Sequence, residues 1–98
     1  MKSIISKLNK AFESRVKLGI MSVLVVNDYV DFNTLKELIQ TSDGNLASHL
    51  RILENGGLIK VTKQFVGRKP KTTYKATSLG KKLFKQHINA LEELIKKK

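Results

Sequence analysis

Asp43-Gly44-Asn45-Leu46-Ala47-Ser48-His49-Leu50-Arg51-Ile52-Leu53-Glu54-Asn55-Gly56-Gly57 carries the clearest structural signal in the chain. At 100° per residue, Leu46, Leu50 and Leu53 share one helical face and belong in a core. Gly44, Asn45, Ser48, Arg51, Ile52 and Asn55 fall broadly opposite, a face of mostly short polar side chains. The preceding Thr41-Ser42-Asp43 makes a tight connection and offers an N-cap, with Asp43 reading as a capping residue. Gly56-Gly57 ends the helix where a left-handed residue is tolerated. The pattern predicts a helix from Asp43 to about Asn55.

Upstream, Asn33 is a good N-cap for a helix from Thr34 to about Gln40, with Leu35, Leu38 and Ile39 on one side. Val30-Asp31-Phe32 is long enough only for a short strand, around which Tyr29 and Phe32 read as packing residues. Leu8 to Val26 reads as helix, because Phe12, Val16, Met21 and Leu24 recur at roughly helical spacing. Ser14 offers an alternative start that leaves Leu8–Phe12 as a separate turn. Downstream, β-like runs at Leu58–Val66 and Thr72–Thr77 flank the turn-rich Gly67-Arg68-Lys69-Pro70-Lys71 and predict a hairpin. Thr77 or Ser78 caps a last helix striped by Leu83, Phe84, Ile88, Leu91, Leu94 and Ile95. The order is helix, short strand, helix, helix, hairpin, helix. Two helices joined by a three-residue turn and followed at once by a hairpin make a winged helix-turn-helix, an α+β and mostly α fold, with residues 1–98 as one domain.

Charge is concentrated on the second part of this frame. The chain has 98 residues and a formal charge of +11. Residues 1–57 hold 7 basic and 6 acidic side chains, whereas residues 58–98 hold 12 and 2. Between Leu58 and Leu91 there are nine cations (Lys60, Lys63, Arg68, Lys69, Lys71, Lys75, Lys81, Lys82 and Lys85) and no acid. One sign of charge on one structural unit points to a polyanion, and nucleic acid fits better than an anionic membrane surface because of the hairpin. There is no cysteine, and the two histidines cannot form a metal site alone, so no metal is expected. No apolar run approaches a membrane span, and Met1–Lys7 is too short and polar for a signal peptide, so the expected location is cytoplasmic, with no membrane partner. No glycine-rich phosphate loop or nucleophile–base pair is present, which argues against an enzyme and against a cofactor.

The run from Leu46 to Ile59 resembles the recognition helix of the ArsR and MarR-like regulators, which often show Ser/Arg-His-Leu, then Leu, then Ala-Gly-Leu-Val/Ile entering the wing. Phe65–Tyr74 and Thr77-Ser78-Leu79-Gly80-Lys81 are similar to the wing and closing-helix start of a small stand-alone winged-helix group. The resemblance extends from roughly Leu8 to Phe84. It implies a dimeric transcriptional regulator with its third helix in the major groove and its wing on the flanking backbone. Metal sensing is not carried over, since ArsR metal sensors use Cys, His and acidic ligands, and this chain has no Cys and too few His. The extended helices that hold ligands in larger MarR proteins are mostly missing too.

The expected partner is double-stranded DNA, and the expected contact set is Ser42, Gly44, Asn45, Ser48, Arg51, Lys63, Arg68, Lys69 and Lys71. Asn45 suits an adenine, Arg51 a guanine or a phosphate, and Ser48 several partners. Gly44 lets backbone approach a phosphate at the helix N-terminus. Arg68, Lys69 and Lys71 sit at the hairpin tip within reach of phosphates or a minor groove. The alternative is an architectural protein that binds nucleic acid without reading its sequence. His49 reads as a packed, hydrogen-bonded residue near the core, His87 as interface or surface, and Tyr74 as core. The terminal segments, 1–13 and 84–98, carry more apolar surface than a lone cap requires. Ile4, Ile5, Leu8, Phe84, Ile88, Leu91, Leu94 and Ile95 are therefore expected to form a homodimer interface.

Overall fold

Side-chain caps set where each helix begins. In the computed structural model, which describes residues 3–96, Ser14 accepts the Lys17 amide at 3.3 Å and opens α1 (Arg15–Leu24). The residues before it form separate 3-10 turns at Ile5–Lys7 and Lys10–Phe12, so the Ser14 start holds and the longer helix from Leu8 does not. After α1 come the short strand β1 (Val30–Asp31) and α2 (Phe32–Ile39). Asp31, not Asn33, caps α2: its extended backbone lets Oδ1 accept the Thr34 amide at 2.8 Å. The helix consequently starts two residues before the predicted Thr34. Leu38 is 59 % exposed, against expectation. Of the three residues expected on one side, Leu35 and Ile39, four residues apart, line the inward stripe, and Ile39 packs against Gly19 of α1 so closely that a Cβ there would lie 2.9 Å from Ile39 Cδ1.

Hydrogen bonds from the Thr34 side chain and amide hold the Asp31 carboxyl below the usual carboxylate range, with Lys71 adding a smaller pull and burial opposing it. A depressed folded-state value means the cap contributes fully above the unfolded value near ~3.9 and is lost as pH falls through the lower folded one. Asp31→Ala is therefore expected to lower stability by about 1 kcal/mol at pH 7. Urea melts at neutral and acid pH check this, because the gap to the parent protein should close in acid.

α3 (Asp43–Asn55) runs as predicted and buries Leu46, Leu50 and Leu53. Its end is a Schellman motif: Leu58 N–H donates to Leu53 O at 3.0 Å and Gly57 N–H to Glu54 O at 2.9 Å, with Gly57 at φ +76°. The chain then enters β2 (Ile59–Val66) and returns in β3 (Lys69–Ala76). The three strands form an antiparallel sheet in the order β1-β3-β2. The predicted five-residue loop is instead the two-residue turn Gly67-Arg68, closed by the Val66–Lys69 pair. Gly67 (φ +66°) supplies the left-handed first position of a tight hairpin turn. Pro70 then falls in a strand, opposite Phe65. That pair lies one step beyond the closing pair, so the ladder asks no amide of Pro70 on the β2 side, and β1 reaches only Thr73 and Tyr74 on the other.

α4 (Ser78–Lys96) begins at a double anchor. Thr77 Oγ1 accepts the Gly80 amide at 2.9 Å and donates to Gly57 O at 2.6 Å, while the Thr77 amide donates to Leu58 O at 3.1 Å. The core joins α1, α2, α3, the sheet and α4 through Ile20, Met21, Leu24, Leu35, Leu53, Tyr74 and Phe84, among others. Tyr29 corrects its expected packing role: it is exposed, at φ +57°, with Lys75 Nζ 5.1 Å from its ring centroid. Phe32 does pack, half-buried, against the core.

The N-terminal segment also has a partner within the chain. Lys7 pairs with Glu93 at 3.7 Å, and Phe12 meets Phe84 edge-on at 5.4 Å between centroids. His87, expected at the surface or an interface, is 6 % exposed. Its ring stands edge-on to Phe12, and its Nδ1 accepts the Asn9 amide at 3.0 Å. His87→Ala would leave that amide unpaired beside a small cavity and is expected to cost about 2 kcal/mol. His87→Gln, which keeps an acceptor, should recover part of the loss in the same urea melts.

Candidate nucleic-acid interface

The outer face of α3 is held in shape by its own polar groups. Ser42, expected among the DNA contacts, is the N-cap that Asp43 was expected to be: its Oγ accepts the Asn45 amide at 3.1 Å. Asp43 instead pairs with Lys36 at 2.6 Å, which neutralises the one acidic side chain in the first turn of α3. Asn45 Nδ2 donates to Thr41 Oγ1 at 2.7 Å, fixing the carboxamide with acceptor capacity still free. His49 is half-buried with Nδ1 2.7 Å from Asn45 O, in line with its structural reading. Gly44, Asn45, Ser48 and Arg51 all lie exposed along the helix, and a Cβ on Gly44 would meet nothing within 4 Å. Its lack of a side chain serves no internal packing, so it leaves room for an outside group.

The hairpin cations divide between two faces. Directly paired residues share a face, so Val61–Tyr74, Lys63–Thr72 and Phe65–Pro70 lie on one side and Gln64–Lys71 and Val66–Lys69 on the other. Lys63 looks into a cleft between hairpin and α3 that Arg51 and Glu54 also line. Lys69 and Lys71 line a separate cleft against Asp31 and Asn33 at the start of α2. Arg68 occupies the turn itself. The structure thus joins Arg51 with Lys63, and Lys69 with Lys71, on opposite sides of one projecting ribbon.

Three large apolar residues on these surfaces were not among the expected contacts: Ile52 on α3, and Phe65 and Val66 near the hairpin tip, all exposed. The hairpin pair was readable in principle, because strand alternation beyond the reach of β1 leaves Phe65 nothing to pack on.

Of the residues assigned to pairing, Phe84 belongs to the chain's own core, and Ile4, Leu8, Leu91 and Leu94 are half-buried. Ile5, Ile88 and Ile95 remain exposed, Ile95 at 82 %. Residues 1, 2, 97 and 98 of the two terminal segments lie outside the described residues. Among the described residues, no helix is long and apolar enough to cross a membrane. No three His, Cys, Asp or Glu side chains among them gather to hold a metal ion.

Comparison with known proteins places this arrangement. Over 87 residues the chain is 37 % identical to an uncharacterized protein of Methanocaldococcus jannaschii, covering 89 % of this chain and 95 % of that one. The structure of a transcriptional regulator homologue from Pyrococcus horikoshii is 28 % identical with a TM-score of 0.75, covering 92 % of this chain and 94 % of its own. MepR of S. aureus, in its complex with DNA, shares the fold at a TM-score of 0.78 and 17 % identity, over 94 % of this chain and 75 % of its own. MarR-like regulators are among the other fold neighbours. Residues 16–95, from α1 through nearly all of α4, match the winged helix DNA-binding domain model. The capped polar helix and its cationic hairpin thus stand where the third helix and the wing stand in the winged helix fold, and the chain belongs to the winged helix DNA-binding domain family.

Proposed function

We propose that the protein is a transcriptional regulator that binds double-stranded DNA and reads its sequence. In this reading α3 enters the major groove and the hairpin lies on the flanking backbone or in the minor groove. The observation that carries it is the adjacency of an exposed α3 face, Gly44 to Arg51, to a ribbon bearing Lys63, Arg68, Lys69 and Lys71. Short, capped polar side chains suit base edges, and the ribbon's cations suit phosphates. Ile52, on the same helix, suits a thymine methyl. MepR, a fold neighbour, has been captured on DNA, which supports duplex DNA as the partner to test first.

The test is selection of bound duplexes from a random pool at moderate salt. Recovery of a motif supports sequence reading. Tight binding without a motif favours the architectural alternative, which the net charge of +10 on residues 58–98 supports. No binding overturns both.

A homodimer through the terminal segments goes with this proposal. Ile5 lies in the N-terminal turn packed against α4, while Ile88 and Ile95 stay uncovered on that helix. The radius of gyration of 14.9 Å exceeds the roughly 13 Å of a compact chain of this length, in keeping with an elongated shape that leaves apolar side chains uncovered. Two-fold pairing would place the two α3 helices about 34 Å apart, one turn of DNA. Sedimentation equilibrium at micromolar concentration tests it, and a monomer mass would remove it.

A further inference from the structure

Phe65 is 75 % exposed, on a ribbon that has left its own core behind. The last pairing with β1 is Asp31–Thr73, and four residues of β3, Thr72 to Lys69, continue past it. At about 3.3 Å per residue the two-stranded ribbon projects roughly 13 Å without a third strand. Phe65 and Pro70 face each other across it in a pair that exchanges no ladder hydrogen bonds, the pairing that brings side chains closest. An unsupported apolar pair near the end of a free ribbon is a liability in water unless something covers it.

The charges around it say what that is. Lys63 lies on the Phe65 face, Lys69 and Lys71 on the opposite face, and Arg68 in the turn. A ribbon with an apolar pair near its tip and cations on both faces matches a slot with anionic walls and stacked aromatic rings between them. The DNA minor groove has that form, with two phosphate backbones about 6 Å apart and stacked bases between them. A protein surface could cover Phe65, but it would have to be acidic on both sides of a narrow cleft.

We propose that Phe65, backed by Pro70, is an apolar wedge that the wing drives between base pairs in the minor groove, kinking the duplex. The inference rests on the DNA-binding reading above. Lys63, on the Phe65 face, and Lys69 and Lys71, on the opposite face, hold the two backbones, and the phenyl ring near the tip unstacks a step. Flexible pyrimidine–purine steps, TA and CA, resist unstacking least, so the wedge contributes selectivity at a position that α3 does not touch.

The experiment is energy transfer between the ends of an A·T-rich duplex of about 30 base pairs with a central TA step, with 2-aminopurine at that step, in complex with the full-length protein. The expected result is a bend of some 40° with a rise in 2-aminopurine fluorescence. Phe65→Ser should abolish both signals and weaken binding about ten-fold, with the salt slope unchanged because no charge is removed. Phe65→Leu, which keeps an apolar wedge, should retain much of the bend. Lys69→Ala should do the reverse of Phe65→Ser, reducing the salt slope by about one while the bend persists in the complex. A straight duplex in a tight parent complex, or a Phe65→Ser complex bent as before, overturns the wedge and leaves the DNA-binding reading intact. Failure of the parent protein to bind overturns both.

Discussion

With Arg68, Lys69 and Lys71 all replaced by alanine, affinity for duplex DNA is expected to fall about 500-fold at roughly 0.1 M salt. Each phosphate contact contributes about 0.9 to the slope of log affinity against log salt, so three contacts span about 2.7 decades between 0.1 M and 1 M. The slope itself should fall by nearly three. All three side chains are exposed, and none forms an ion pair among the described residues, so the fold should survive their removal. Anisotropy titrations at four or so salt concentrations give both quantities. A slope unchanged within error would mean that the wing does not touch phosphate, whatever the loss in affinity. Arg51→Ala provides the contrast. It removes one side chain from the α3 face and should change discrimination between sequences more than it changes the slope.

The element order was legible because three signals coincide around α3. A leucine stripe at helical spacing, a Ser/Thr/Asp turn before it and a glycine pair after it each limit the choices independently. The errors lie where two residues compete for one role. Asp31 and Asn33 both suit an N-cap, and pairing of β1 with β3 decides between them by holding Asp31 in extended backbone. Ser42 and Asp43 compete in the same way, and the Lys36 partner that engages Asp43 comes from α2, seven residues away in sequence. The hairpin turn was drawn too long because Lys69-Pro70-Lys71 reads as loop. A proline is admitted to a strand when its neighbours do not need its amide, and that depends on register and on where β1 stops.

The candidate site was half legible. Charge counting located the cations, and helix geometry located the α3 face. What sequence alone does not show is partition: Lys63 lies on the opposite side of the ribbon from Lys69 and Lys71, which follows only once Val66 is paired with Lys69. The terminal segments show the same limit. Apolar surplus at both ends was read as surface for a partner, yet Phe84 and His87 close over Phe12 in the same chain. An apolar stripe says that something will cover it. For Phe84 and His87 the cover is the chain's own N-terminal segment, held where the Asn9 amide donates to a ring nitrogen 78 residues away, whereas Ile5, Ile88 and Ile95 stay exposed.

Gly80→Ala is expected to destabilise the protein by about 3 kcal/mol, lowering Tm by about 12–24 °C. Helix propensity alone argues the other way, since alanine is favoured over glycine by about 1 kcal/mol inside a helix. The contact decides the sign. A Cβ at Gly80 would overlap Leu58 O and lie 2.9 Å from Leu58 C, both backbone atoms. Leu58 O cannot retreat freely, because it accepts the Thr77 amide that starts α4, and Leu58 N–H closes the end of α3 on Leu53 O. Relief therefore requires α4 to lift from the α3–β2 junction, losing the Thr77 cap and disturbing Phe84 in the core. Gly44→Ala is the control, with the same change in a helix where a Cβ meets nothing within 4 Å. It should leave Tm unchanged or slightly raised while weakening DNA binding, whereas Gly80→Ala should lower Tm and affect binding only through the folded fraction. Thermal melts by circular dichroism separate the two. An unchanged Tm for Gly80→Ala would show that the α4 junction yields by an ångström or more, and the anchoring role given to Thr77 and Leu58 would then be wrong.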